Sequence, residues 1–220
     1  MPVNLPAYQQ ILHQLQDKAT LVAVSKTKPP AEIKSLYDAG QRDFGENYVQ
    51  ELLEKQAVLP ADIRWHFIGH LQSNKVKLIA PFVYLIHGVD SESLLREVDK
   101  QAARLNKKIS CLLQVHIARE ETKFGFDAET IQQLDWTRYQ HVTVRGLMGM
   151  ASFTDDQELI RSEFRQLKLL MEQHNQHLKA GQLPLDILSM GMSGDYAIAL
   201  EEGSNMIRIG SLLFGNRQPS

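Results

Sequence analysis

The chain has 220 residues, 43% of them hydrophobic, and this length and composition suit one large domain with a full core. Its 24 basic and 26 acidic side chains give a net charge of −2, which argues against nucleic acid or an anionic membrane surface as the main partner. The single cysteine, Cys111, excludes an internal disulfide and cannot form a metal site by itself.

The ends and the internal composition of the chain bear on its location and its domains. Residues 1–10 contain no apolar run of signal-peptide length, and no later run is long enough to span a membrane. We therefore expect a cytoplasmic protein. No linker, low-complexity tract or internal repeat marks a boundary, so we also expect one domain over residues 1–220.

Helix-type and strand-type segments alternate along the chain. An amphipathic helix is predicted first, at residues 5–18. Strands are then predicted at residues 21–26, 43–45, 65–69, 82–87, 109–117, 142–150, 185–190 and 205–210. Further helices are predicted at residues 31–39, 46–56, 73–79, 91–105, 128–134, 156–178 and 195–202. This order indicates a parallel sheet with right-handed crossovers.

The number of predicted strands favours a closed sheet. Eight strands predict a single (β/α)8 barrel of the TIM type with an extra N-terminal helix. An open doubly wound sheet is the alternative, although no G-x-G-x-x-G motif follows the first strand. Only residues 212–220 follow the eighth strand, which leaves no full helix there, and we expect the N-terminal helix to cover this gap.

Lys26 ends the first strand, on the same face as Val22 and Val24. A lysine whose stem lies against such an apolar surface is more readily neutral, and a neutral amine can attack a carbonyl to form a Schiff base. The alternative is a lysine that extends into water at a strand end.

Two Gly/Ser turns follow the seventh and eighth strands. Ser193 and Gly194 form the first, and Gly210 and Ser211 form the second; together we call them the phosphate cup. Barrels commonly bind phosphate at these two strand ends, where small residues let backbone N–H groups approach the anion and a nearby helix start adds positive charge. Ordinary turns and helix caps are the alternative interpretation.

Arg208 lies inside the apolar eighth strand, two residues before Gly210. A buried arginine needs an acceptor, which could be a phosphate, a ring nitrogen or a carboxylate within the protein. Lys26, the phosphate cup and Arg208 at one barrel mouth describe a ligand with an aldehyde at one end and a phosphate at the other. Pyridoxal 5'-phosphate (PLP) and a sugar-phosphate aldehyde both fit this description.

Motifs in the chain carry a family resemblance that extends from about residue 20 to residue 217. They lie, in order, at residues 24–29, 44–51, 66–69, 71–75, 146–148, 189–193 and 207–210. In these motifs the chain resembles the pyridoxal phosphate homeostasis protein family, also called the proline synthetase co-transcribed homologue family.

The resemblance implies a barrel similar to the N-terminal domain of alanine racemase, with PLP held as a Schiff base on Lys26. It places Arg208 against the pyridine nitrogen and the phosphate on Ser193, Gly194, Gly210 and Ser211. It also places Asn47 beside the cofactor, with Met190 and Met192 near it.

The chain departs from the family pattern at three positions, where His70 replaces a usual proline, His116 an asparagine and Asn205 a threonine. We expect none of these residues to contact Lys26 or Arg208, so their effect would lie at the rim or on bound partners. His66, His70, His87 and His116 form no metal signature, and we expect structural histidines and no metal site.

Three functions suit these residues. The first is a non-catalytic, monomeric PLP-binding protein, without catalytic residues, that buffers the cofactor or delivers it to PLP-dependent apo-enzymes. The second is a low-activity PLP enzyme such as an amino acid racemase, and the third is a Schiff-base aldolase. An arginine at the pyridine nitrogen weakens the ring as an electron sink, and 220 residues leave no room for the second domain of a racemase; both points favour the first.

Overall fold

The computed structural model describes residues 3–120, 124–178 and 180–215. Its centre is a closed barrel of eight parallel strands in chain order, in which the last strand pairs with the first. The strands are β1 (Thr20–Val24), β2 (Asp43–Glu46), β3 (Arg64–Phe67), β4 (Leu85–Val89), β5 (Ile109–Gln114), β6 (Val142–Met148), β7 (Ile187–Ser189) and β8 (Met206–Ile209). The predicted (β/α)8 barrel is confirmed, and the open sheet is excluded.

Helices surround the barrel. They are α1 (Leu5–Leu15), α2 (Pro30–Asp38), α3 (Val49–Val58), α4 (Val76–Ile79), α5 (Glu92–Arg104), α6 (Ala128–Gln133), α7 (Gln157–Gln176), α8 (Tyr196–Glu201) and α9 (Ser211–Phe214). Two short 3-10 segments, Ser73–Lys75 and Trp136–Arg138, accompany them. Within the described ranges, no helix is both long and apolar enough to cross a membrane.

Several predicted boundaries differ from the structure: α1 ends at Leu15 and not at residue 18, β1 ends at Val24 and not at residue 26, and β5 ends at Gln114 and not at residue 117. Two further differences, at the starts of α3 and β4, have a clear cause. The helix predicted from residue 46 begins at Val49, because Glu46 still pairs with Phe67 as the last residue of β2. The strand predicted at residues 82–87 is β4, which begins at Leu85. The N–H groups of Phe82 and Val83 donate to the Ile79 carbonyl and close the turn after α4, so they do not enter the sheet.

The strands divide the core into two layers, because successive side chains point to opposite faces of a sheet. Val22 lies inside the barrel, whereas Leu21 and Ala23 lie between the barrel and the helices, as the alternation in β1 predicts. Inside the barrel, Val22 packs with Leu85, Leu112, Met148 and Met206. This small inner layer leaves the carboxyl end of the barrel for polar side chains.

The N-terminal helix packs beside α9 in the layer of helices around the barrel. Its buried side chains are Tyr8, Ile11 and Leu15. The Asn4 N–H donates to the Leu213 carbonyl at 2.8 Å, which joins the start of α1 to the last helix. The expectation that α1 covers the gap after the eighth strand is therefore confirmed.

Candidate functional site

A cavity of about 490 Å³ opens at the carboxyl ends of the strands. This volume is within the range of about 300 to 1,000 Å³ that small-molecule sites occupy. Among the predicted site residues, those that line the cavity are Lys26, Asn47, Met192, Ser193, Gly194, Arg208, Gly210 and Ser211. The structure thus brings together side chains from the ends of β1, β2, β7 and β8.

Two other depressions, of about 690 and 720 Å³, lie elsewhere on the surface. One is beside β6, where Lys108, Tyr139 and Val144 line it. The other is at the amino ends of the strands, where Thr20 and Arg64 line it. Ligands of TIM-type barrels bind at the carboxyl ends of the strands, so the cavity near Lys26 is the candidate site.

Met190 does not line the cavity, contrary to the prediction. It is fully buried in the core layer between the barrel and the helices. The reason is the alternation of side chains: Ser189, the last residue of β7, points into the barrel, and the next residue points outward. Met192, two residues further on, lines the cavity and is 40% exposed.

Lys26 lies in a tight turn just after β1. The Lys28 N–H donates to the Ser25 carbonyl at 3.0 Å, and Thr27 has a left-handed φ of +63°. The Thr27 N–H donates to Oε2 of Glu51 in α3 at 2.7 Å. Nζ of Lys28 donates to the Phe214 carbonyl at 2.7 Å, so this second lysine is directed toward α9.

A buried ion network supports this turn from behind. Nζ of Lys55 in α3 donates to the Ser25 carbonyl at 2.8 Å, to Oε1 of Glu46 at 2.7 Å and to Oε2 of Glu51 at 2.9 Å. The Ser25 hydroxyl donates to Glu46 Oε1 at 2.6 Å. Burial raises the pKa of Glu46 despite the nearby ammonium. Burial would also raise the pKa of Glu51, but hydrogen bonds from Lys55 and the Thr27 N–H lower it below its usual value.

The phosphate cup presents backbone donors to the cavity. The N–H groups of Ser193, Gly194 and Ser211 donate to no acceptor in the described part of the chain. The Gly210 N–H is 3.4 Å from the Ser193 Oγ, which joins the two turns. A side chain at Gly210 would lie 3.3 Å from the Val24 carbonyl oxygen, so glycine suits this close approach.

Arg208 is buried, with 4% of its surface exposed. Its Nη1 donates to the Ser189 hydroxyl at 2.6 Å, and its Nη2 donates to the Gly149 carbonyl at 3.1 Å. Burial lowers the pKa of Arg208 to about 10, so the side chain remains charged at neutral pH. Within the described ranges no carboxylate forms a salt bridge with it, which leaves donors for a ligand in the cavity.

Asn47 supplies a test of whether the cavity suits a polar ligand. Its Oδ1 is buried and accepts no hydrogen bond from any described residue. An unsatisfied buried acceptor costs free energy, and Asn47 lines the cavity, so a polar group of a ligand would relieve that cost. An amine, a set of anion donors, a charged guanidinium and this amide fit a ligand with an aldehyde, a phosphate and a polar ring.

The three departures from the family pattern lie away from the cavity. His70 contacts Asp90, with 2.9 Å between Nδ1 and Oδ2, and stacks on Phe124. His116 Nε2 is 2.8 Å from the Glu120 carbonyl, and Asn205 Oδ1 accepts from the Leu188 N–H at 2.8 Å. None of them bonds to Lys26 or Arg208 in the contacts of the described residues, as the sequence predicts.

Sequence reasoning missed the residues that support the site. Glu46 and Glu51 occur in the motif at residues 44–51, but neither was assigned a role, and Lys55 has no signal beyond its spacing of four from Glu51. Ser189 begins another motif and bonds to Arg208. Among the described residues, no three histidine, cysteine or carboxylate side chains are grouped so that they could hold a metal ion. His66 and His87 are buried and hydrogen-bonded to each other.

Comparisons with known proteins show the family to which the chain belongs. Residues 3–218 match the family model described as the alanine racemase N-terminal domain. The pyridoxal phosphate homeostasis protein of Aquifex aeolicus is 40% identical over 203 residues, which cover 91% of this chain and 88% of that protein.

Solved structures are similar to this chain in fold and, for PipY, in sequence as well. PipY of Synechococcus elongatus matches with a TM-score of 0.89 without PLP and 0.84 with PLP bound, at 38% and 37% identity. Each match covers 96% of this chain and 99% of PipY. Alanine racemase of Clostridium difficile matches with a TM-score of 0.77 at 15% identity, over 63% of its length, and shares the fold alone.

Proposed function

Because the chain belongs to the pyridoxal phosphate homeostasis protein family, we propose that it binds PLP in the cavity at Lys26 and takes part in PLP homeostasis by holding and releasing the cofactor. One observation carries this proposal: Lys26, the phosphate cup and Arg208 all line one cavity. These groups match the aldehyde, the phosphate and the ring of PLP. The PLP-bound structure of PipY supports the same ligand.

Each residue has a distinct part in this proposal. Bound PLP supplies an aldehyde that reacts with amines and a ring that can accept electrons. The Lys26 amine holds the aldehyde carbon as a Schiff base. The hydroxyls and N–H groups of Ser193, Gly194, Gly210 and Ser211 hold the phosphate, and Met192 lies beside the ligand.

Arg208 and Asn47 hold the ring. Arg208 donates to the pyridine nitrogen from a buried position, and Asn47 pairs with a polar substituent of the ring. Because the guanidinium stays charged, it disfavours protonation of the ring nitrogen. The unprotonated pyridine ring is then a weak electron acceptor. This arrangement supports storage of PLP over strong carbanion chemistry.

The lining of the cavity also supports a carrier over an enzyme. Among the described lining residues there is no carboxylate, imidazole, thiol or phenol that could act as a second acid or base. Lys28 is the other amine there, and its Nζ donates to the Phe214 carbonyl. We therefore propose a non-catalytic role, in a cytoplasmic, monomeric, single-domain protein that supplies PLP-dependent apo-enzymes.

PLP transfer and amino acid turnover test this function. The protein loaded with PLP is mixed with a PLP-dependent apo-enzyme, without and with a trap for free PLP, and recovery of that enzyme's activity is followed; recovery without the trap reports release, and recovery with the trap reports direct transfer. The same protein is incubated with a panel of amino acids and assayed for racemisation and elimination. We expect reactivation and no turnover above the Lys26→Ala background. Sustained turnover that Lys26→Ala abolishes would contradict the carrier function and favour a low-activity enzyme.

A further inference from the structure

A line of hydrogen bonds crosses the inside of the barrel from Arg208 to Asp43. Arg208 Nη1 is 2.6 Å from Ser189 Oγ, which is 3.1 Å from His87 Nδ1. His87 Nε2 is 2.9 Å from His66 Nδ1, and His66 Nε2 is 3.0 Å from Asp43 Oδ1. The five residues come from β8, β7, β4, β3 and β2, and both histidines are fully buried. We call this set the histidine relay.

The ends of the relay determine the position of every proton in it. Burial lowers the pKa of both histidines, which favours neutral rings with one N–H each. The Asp43 carboxylate only accepts, so the single N–H of His66 is on Nε2 and donates to Asp43. His66 Nδ1 is then an acceptor for the Nε2–H of His87. His87 Nδ1 accepts in turn from the Ser189 hydroxyl, whose oxygen accepts from Arg208.

Charges at each end favour these neutral rings. Arg64 pairs with Asp43, with 2.7 Å between Nε and Oδ1; hydrogen bonds from Arg64 and His66 overcome the effect of burial and lower the pKa of Asp43. Burial lowers the pKa of His66 and, to a greater degree, that of His87. The Arg208 charge, close to His87 across Ser189, also disfavours an imidazolium there.

We propose that His87 and His66 are positioning residues for Arg208, because the relay fixes Ser189 as an acceptor and so sets the direction in which the guanidinium meets the ring of the ligand. The proposal rests on the proposed function for the identity of that ligand. Without the relay, the Ser189 hydroxyl would lose the acceptor that fixes its rotation, and the hydrogen bond that orients Arg208 Nη1 would be less ordered. The pyridine nitrogen of PLP would then meet a less ordered donor.

The tautomers can be measured without any cofactor. Nitrogen-15 NMR of the histidines in the ligand-free protein at pH 7, assigned with His66→Gln and His87→Asn variants, should show both rings as the Nε2–H tautomer. An imidazolium or an Nδ1–H tautomer at either position would overturn the relay. This readout does not depend on PLP binding.

The positioning role is tested with a ligand that lacks the ring nitrogen. Binding of PLP and of 1-deaza-pyridoxal phosphate is measured for the wild type, His87→Leu and His87→Asn, with unfolding curves to confirm that each variant folds. His87→Leu should weaken PLP by about 2- to 10-fold, the effect of one ordered hydrogen bond, and should weaken the deaza ligand much less. His87→Asn, which keeps an acceptor near the Nδ1 position, should recover part of the preference for PLP.

The results separate a positioning role from a structural one. Equal losses for both ligands in His87→Leu would mean that the histidine only supports the fold, and would overturn the proposal. Failure of the wild type to bind PLP would overturn the proposed function itself, and the positioning role with it. The NMR experiment would still report the tautomers in that case, so the two failures are distinguishable.

Discussion

Two serine hydroxyls at the cavity form few hydrogen bonds to the residues that the structure describes. Ser193 Oγ is 3.4 Å from the Gly210 N–H, a long contact, and Ser211 begins α9 at the edge of the cavity. Both hydroxyl protons are thus available to an anion in the phosphate cup. At the residue scale, these hydroxyls should select ligands that carry a phosphate.

The double variant Ser193→Ala/Ser211→Ala should therefore lose affinity for PLP much more than for pyridoxal. Each hydrogen bond to a charged group contributes about 1.5 to 3 kcal/mol, so we expect a loss of at least about 100-fold for PLP and a small change for pyridoxal. Equilibrium dialysis measures both dissociation constants, with Ser162→Ala, an exposed serine of α7, as the control. Equal losses for the two ligands would mean that the phosphate lies elsewhere.

The place of a residue at the site was predictable where the end of its strand was predictable. Lys26, Arg208 and the two Gly/Ser turns follow or end apolar strands, which a linear pattern shows directly. Met190 was misplaced because β7 ends at Ser189 and the face of the next residue depends on that end. His66 and His87 were each predicted to be structural, because a bond between two strands has no signature in either strand's own sequence.

At the scale of elements, α3 holds the turn that carries Lys26. Lys55 is bonded to the Ser25 carbonyl on one side and to Glu46 and Glu51 on the other. The side chains of Lys55 and Glu46 are 6% and 0% exposed, so neither charge is stabilised by water. Removing one partner of a buried ion pair leaves the other charge uncompensated.

We expect Lys55→Met to destabilise the protein by about 3 to 5 kcal/mol. Adding Glu46→Gln removes the uncompensated carboxylate and should recover part of that loss. Urea unfolding of the single and double variants measures both effects. Lys34→Met is the control, because the Lys34–Asp38 pair is about half exposed and should contribute no more than about 1 kcal/mol. A double variant no more stable than Lys55→Met would contradict a buried charge at Glu46.

The order of the elements was predictable, and their ends were less so. Alternation of apolar strands with amphipathic helices is a property of the sequence, and it gave the correct barrel. The starts of α3 and β4 were displaced by about three residues, because β2 runs on to Glu46 and the residues after α4 bond back to Ile79. Those hydrogen bonds are long-range or belong to irregular turns, and neither leaves a periodic pattern.

At the scale of the whole molecule, closure of the barrel makes the site. β8 pairs with β1, which brings Arg208 and the second Gly/Ser turn next to the strand that precedes Lys26, although about 180 residues separate them in the chain. The Lys28–Phe214 bond ties the same two regions at the rim. A ligand in the cavity would therefore contact both ends of the barrel sequence at once.

The central claim is that PLP binds in this cavity through Lys26, and reductive labelling tests it most directly. The protein is incubated with PLP, reduced with borohydride and digested, and fragmentation of the labelled peptide distinguishes Lys26 from Lys28. Lys26→Ala and Lys28→Ala variants are treated in parallel. We expect the label on Lys26 in the wild type, retained in Lys28→Ala and lost in Lys26→Ala. Label on Lys28, or undiminished specific labelling of Lys26→Ala, would contradict the account.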